Sequence, residues 1–229
     1  MLSILFGILT ACCFASGTLA SSRTVRTIGP YSTIAGIMLV GLLITMPFLF
    51  IAGIPEQLDL TSGLWLAAGG LGNLVGLILA YSALKIGKVG VVAPILCTEG
   101  AIAAVISALT GEAIAVTTTF ILVAIVAGVV LAAVAPDPEP LAHEQPAKAA
   151  IIATLGALAF GIGLFAPGHL SGDMPISWIL LPARLFGVIA LRRTLDRMGA
   201  QEVALTSAKG ALADVILAQF TAWGLTPAE

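Results

Sequence analysis

The sequence predicts an all-α membrane protein. It reads as a polytopic bundle of about seven or eight transmembrane helices, a five-helix unit followed by a shorter, inverted copy of itself. Three observations predict it. The 229-residue chain is 59% hydrophobic and only 10% charged, whereas a soluble domain carries about 25% charged residues, so most of this surface cannot face water. Apolar runs of bilayer-spanning length recur along the chain. Fragments of the first runs reappear, in order, after a single polar break.

A hydrocarbon core of about 30 Å needs about 20 apolar residues per helix. Runs of that kind occupy 2–20, 33–54, 62–84, 89–110 and 114–135, then 149–168 and 176–191. Backbone polar groups in lipid must be bonded within their own segment, so these runs are helices. The short alternating segments of a membrane β-barrel are absent. The first run resembles a signal peptide only in its apolarity. It has no basic residues before it, and Arg23 and Arg26 follow it, so it is read as the first membrane helix. The tail 203–224 carries Lys209, Asp214 and Gln219 and is the eighth candidate span. Cys12, Cys13 and Cys97 lie inside apolar runs with no metal-like or disulfide-framework spacing, and are read as small packing residues.

The polar break is APDPEPLAHEQPAK, residues 135–148, with four prolines and three acids, Asp137, Glu139 and Glu144. It reads as a solvated linker dividing a first repeat, 1–134, from a partial second repeat, 149–229. Across it, Ala11, Phe14, Gly17 and Ala20 match Ala157, Phe160, Gly163 and Ala166 at one offset, and Pro30, Ser32 and Ile34 match Pro175, Ser177 and Ile179. Gly-Gly-Leu-Gly-Asn at 69–73 resembles Gly-Ala-Leu-Ala-Asp at 210–214. A unit of five spans, once duplicated, enters the membrane in opposite directions, the inverted-repeat plan of many secondary transporters. The small residues Ala11, Gly17 and Ala20 are expected to permit close helix contact.

Loop charge predicts orientation. Arg23 and Arg26, Lys85 and Lys88, Lys148, and Arg192, Arg193 and Arg197 fall in one set of loops. Glu56 and Asp59, Glu112, and Asp173 fall in the alternate set. The positive-inside rule makes the basic loops cytoplasmic and puts the N-terminus outside. The net charge of −2 implies no nucleic-acid partner.

The stretch 69–112, GGLGNLVGLILAYSALKIGKVGVVAPILCTEGAIAAVISALTGE, is the most specific part of the chain. Its helix end at Ala80 to Leu84, short glycine-containing turn, V-V-A-P-I motif and closing G-E resemble the EamA-type drug/metabolite transporters. The resemblance implies ten helices in two inverted repeats, with export or import of metabolites, amino acids or toxic compounds. Ten spans need roughly 280–300 residues, so the second copy is expected to be incomplete.

Within the spans, ionisable groups are candidates for function. Glu99, mid-way along the fourth run among Ile95, Ile102, Ala103 and Ile106, is expected to be a substrate- or proton-binding acid or else half of a structural ion pair. Arg184, between Leu180, Leu181, Gly187 and Val188, is a cation at similar depth, with cavity-wall snorkelling as the plain alternative. Asn73 reads as an interhelical hydrogen-bonder or a cavity residue, Asp214 as its repeat counterpart, and Tyr81, with Ser82, as an interface or substrate contact. Pro47 and Pro94 predict kinks, Glu112 a surface acid, and His169 with Asp173 too few ligands for a metal or hydrolytic site. No G-x-x-x-x-G-K-[ST] occurs, so no nucleotide or other cofactor is expected and energy would come from a gradient.

The sequence therefore predicts a permease of small organic metabolites in the inner (plasma) membrane, not an enzyme. It would work by alternating access, with the lipid bilayer, a small solute and a coupling proton as partners and a homo-oligomer left open. A non-transporting remnant, or an assembly partner of the same fold, is the alternative.

Overall fold

The computed structural model describes residues 2–56, 58–113, 115–134, 145–170, 172 and 174–224. Among the described residues eight α-helices follow in order: α1 Leu2–Ile28, α2 Pro30–Ala52, α3 Leu60–Ile86, α4 Val89–Leu96, α5 Glu99–Leu109, α6 Val116–Val134, α7 Pro146–Gly168 and α8 Ile176–Ala222. Six helical stretches are long and apolar enough to cross a membrane, with α4 and α5 together forming one of them, and Val116–Leu131 and Ile176–Ile189 are shorter apolar helices. The all-helical polytopic bundle is thus borne out. Its outward faces carry large apolar side chains, Phe50, Ile51 and Leu109 among them, which is the surface that a lipid solvent requires.

Two compact units divide the chain, Met1–Leu191 and Arg192–Glu229, with the boundary inside α8. In the second unit, Gly199–Ala222 is a membrane-length helix with none of its residues buried. Most of the polar linker, residues 135–144, lies outside the described residues, as do Asp173 and the side chains of Arg192, Arg193 and Arg197.

The helix boundaries follow local chemistry. Gly29, at φ 86°, takes a backbone that an L side chain rarely adopts and turns the chain from α1 into α2, where Pro30 occupies the first helical position. Asp59 caps α3. The Ser62 N–H donates to Asp59 Oδ1 at 2.7 Å, and the Asp59 N–H donates to Ser62 Oγ at 2.9 Å, a reciprocal box that satisfies two orphan donors. The Ser62 donors, first from its backbone and then from its hydroxyl, hold the Asp59 carboxyl below its ordinary range. Because the folded-state value is the lower one, the cap contributes stability above the ordinary aspartate pKa and loses it as pH falls through the lowered value. Asp59→Ala should therefore lower the thermal midpoint of the purified protein at pH 7. The gap should narrow as pH falls below the ordinary aspartate value of about 3.9, whereas a gap of constant size would show that the carboxylate does not act as the cap.

Contacts within the first unit sort the helix ends into two groups. Arg26, at the end of α1, donates from Nε to Leu84 O at 3.3 Å and from Nη2 to Gly87 O at 3.1 Å, closing off the carbonyl end of α3. Gln145 N–H donates to Ile86 O at 3.1 Å, which fixes the start of α7 at the same end. Lys85, Lys88 and Lys148 belong to these termini. At the other end the Trp178 indole donates to Gly53 O at 2.7 Å, and His169 meets Glu112 at 4.0 Å. Glu56 and Asp59 also lie there, in the chain between α2 and α3. Basic and acidic loops thus occupy opposite ends of the bundle, and α1 and α7 run in opposite directions between them.

α7 is the central helix. Its small-residue face, Ala149, Ala153, Gly156, Ala157 and Gly161, is buried against α3, α4 and α5. The α3–α7 crossing is backbone on backbone. A Cβ on Gly72 would meet Ala159 O and Gly163 N at 2.8 Å, and one on Gly163 would meet Asn73 N at 2.9 Å. Above and below, Pro167 packs on Gly69 and Phe160 on Gly76. With no hydrophobic drive between helices in lipid, such close approach is what gains dispersion energy. Ala11, Gly17 and Ala20 do not do this work: all three are exposed, and a Cβ on Gly17 would meet nothing within 4 Å. Of the pairs 11/157, 17/163 and 20/166, the second member carries the tight contact.

Candidate functional site

The fourth span is broken in its middle. α4 ends at Leu96 and α5 begins at Glu99, with Cys97 and Thr98 forming a turn. Pro94 stands in the last turn of α4. The Thr98 N–H and hydroxyl both reach back to Ile95 O, at 3.1 and 2.7 Å, a tightened i to i−3 closure in place of the α-helical bond to Pro94 O. The next bond across the turn runs from Ile102 N to Thr98 O at 3.0 Å. Glu99, Gly100 and Ala101 therefore supply the first-turn amides of a half-helix inside the span.

Glu99 is half-buried in that first turn. Its backbone carbonyl lies 3.3 Å from where a Gly161 Cβ would stand, so it faces α7. Among the described residues its carboxylate has no hydrogen bond or ion pair. Arg184 lies elsewhere in the first unit, on the α2 side of α8. Its guanidinium packs on Gly41 and donates from Nη1 to Met38 Sδ at 3.5 Å. No ion pair joins Glu99 and Arg184.

Asn73 is half-buried at the α3–α7 crossing, and its side chain makes no hydrogen bond among the described residues. Tyr81 donates from its hydroxyl to Ser21 Oγ at 3.3 Å, linking α3 to α1 beside the Ala80–Leu84–Val92 core. Asp214 is exposed in the second unit. The structure thus spreads Glu99, Arg184, Asn73 and Tyr81 over separate interfaces of α3, α7 and α8.

Two grooves flank these residues. One, of about 410 Å³ and wholly apolar, lies between α5, α6 and α7 and is lined by Thr98, Ile102, Val126 and Ile162 among others. The other, of about 230 Å³, lies between α3 and α8 along Leu66, Trp178, Pro182 and Phe186. Neither contains a candidate site residue.

At the acidic end His169 stacks on Trp65, centroids 4.7 Å apart and 11° between planes, with the Phe165 ring edge-on at 4.7 Å. Trp65, Trp178 and this histidine form the kind of aromatic collar found at a membrane–water boundary. The sequence reading missed Met38, Gly41 and Ser21 as partners, since nothing in apolar spacing marks them. The glycines at 69 and 72 were a legible signal for the α3–α7 contact, read there as a trace of repetition and as part of the family-like stretch 69–112.

Helices that expose apolar flanks and segregate loop charge to two ends define an integral membrane protein. Residues 1–134 match the model of the EamA-like transporter family. The chain belongs to that family, whose members are membrane transporters. No curated protein and no solved structure matches the chain.

Proposed function

We propose that this protein is a secondary permease for small organic metabolites in the cytoplasmic membrane, working by alternating access. One observation carries the reading: the fourth span is interrupted at Cys97–Thr98, and the interruption sets an unpartnered carboxylate, Glu99, on the first turn of a half-helix. Discontinuous helices of this kind form the midplane sites of secondary transporters, and irregular backbone at membrane depth is tolerated where it lines a path for solute or ion. Glu99 is the proton carrier in this scheme. Arg184, Asn73 and Tyr81 are the solute-facing residues of the first unit, and Asp214 is a further candidate in the second.

The opposed directions of α1 and α7 support the division into a repeat at 1–134 and a partial inverted repeat at 149–229. The end holding Arg26, Lys85, Lys88 and Lys148 is the cytoplasmic one by the positive-inside rule. The test is solute-dependent proton movement into vesicles reconstituted with the purified chain, read by a trapped pH-sensitive dye across amino acids, organic acids and amphipathic amines. Wild type should give flux with one of these classes and Glu99→Gln should abolish the proton signal. An undiminished signal in the variant would remove Glu99 from the coupling step.

A second reading, an assembly partner rather than a carrier, is favoured by the family match, which covers residues 1–134. It predicts a stable complex with another membrane protein on gentle solubilisation, and no solute flux by the chain alone.

A further inference from the structure

The first unit holds, at membrane depth, a guanidinium that nothing described in the chain neutralises. Arg184 lies beside Gly41, at the midpoint of Pro30–Ala52, about 16 Å along the helix from either end. A Cβ on Gly41 would come within 2.7 Å of Arg184 Cζ and 2.8 Å of Nε, so the absence of a side chain there is what admits the group. Nε is buried without a hydrogen-bond partner. Nη1 has only the Met38 sulfur, a weak acceptor, at 3.5 Å. Among the described residues no carboxylate pairs with it.

An arginine cannot escape this position as a lysine could, because its guanidinium does not shed its proton in proteins. A charge at membrane depth without a counter-charge is costly even when, as here, the residue is half-buried. Its planar fork matches a carboxylate, which it grips through two parallel hydrogen bonds. The surroundings suit a ligand that comes and goes. Gly187, one turn on, packs against Met38, which places a flexible thioether in the seam between α2 and α8 beside the guanidinium. The opposite face of α8 is held firmly, with Pro182 and Phe186 against Gly70. A lipid phosphate offers similar chemistry but resides at the headgroup level, about half a bilayer away.

We propose that Arg184 is the fixed cation of an anion site between α2 and α8, and that the solute handled by this protein is a small organic acid recognised by its carboxylate. The site stands on its own geometry; that its ligand is transported rests on the permease reading.

The test uses the purified full chain in neutral detergent. Thermal midpoints are recorded against rising butyrate, with butyramide and butylamine as uncharged and cationic counterparts at matched ionic strength. Butyrate alone should stabilise, and saturably. Arg184→Gln should weaken butyrate binding by about tenfold or more, and Arg184→Lys should lie between, since a point charge lacks the fork. Gly41→Ala keeps the charge but displaces the guanidinium, and should also weaken butyrate, which keeps the test decisive if the arginine variants fold poorly.

Equal stabilisation by butyramide, or unchanged butyrate binding in Arg184→Gln or Gly41→Ala, overturns the proposal. So does stabilisation by added phosphatidylglycerol that butyrate cannot displace, which assigns the counter-ion to lipid. Butyrate binding lost in Arg184→Gln, with no flux through wild-type vesicles, supports the site and sinks the permease reading. Flux of neutral or cationic solutes without butyrate binding does the reverse.

Discussion

Gly72→Leu is expected to prevent the bundle from assembling. Its Cβ would press on Ala159 O and on the N and Cα of Gly163, all between 2.8 and 2.9 Å away. These are backbone atoms of α7, so no rotamer change relieves the clash, and three further side-chain atoms must also be placed. Overpacking in ordinary cores costs about 1–3 kcal/mol, and at a contact between two main chains the upper end or more applies. Against a total stability of about 5–15 kcal/mol, that removes a large share. The variant should elute as aggregate, or melt well below wild type, when purified in detergent. Gly17→Leu is the matched control: a Cβ there meets nothing within 4 Å, so it should behave as wild type. Gly72→Leu running and melting like wild type would show that α3 and α7 do not cross at these glycines.

Trp178→Ala should produce the next largest loss. The indole donates to Gly53 O at 2.7 Å and packs, with Trp65 and Ile179, on Leu66, Leu170 and Met174. It thereby ties the start of α8 to the turn between α2 and α3. Truncation removes one hydrogen bond and a ring from a partly buried cluster, about 3 kcal/mol at the low end of the range for buried aromatics. The measurement is the thermal midpoint, with Trp178→Phe separating packing from hydrogen bonding. Phenylalanine should recover most of the packing and none of the tie to Gly53. A variant pair as stable as wild type would mean that the collar at the acidic end contributes nothing to holding α8.

The spans were legible because lipid leaves the backbone one solution, and runs such as 33–54 and 62–84 can satisfy it only as helices. The separation of basic from acidic ends was legible for the same reason: charge is excluded from the spans, so the loops carry it in the open. The interruption at Cys97–Thr98 was legible only in part: Pro94 marked a kink in this span but not the turn three residues on. Both residues are compatible with an apolar helix, and the turn is set by which carbonyl the Thr98 donors choose, a choice of a fraction of a turn. The pairing of helices was likewise hidden. Small residues at 11, 17 and 20 and at 157, 163 and 166 are nearly the same string, yet only the second set is buried in a contact, because α7 is the helix inserted between α3, α4 and α5. Glu99 and Arg184 were findable as charges in apolar runs. Their separation onto different seams was not, since sequence gives depth along a helix but not which neighbour it faces.

The glycine crossing also constrains biogenesis. α3 ends at Ile86 and α7 at Gly168, so 82 further residues must be synthesised before the surface over Gly69, Gly72 and Gly76 has its partner. The portion that matches the family model, 1–134, is therefore synthesised before the helix that covers its glycine surface. Its α3 gains that contact only when α7 arrives, so helix order in time and helix order in space differ in this protein.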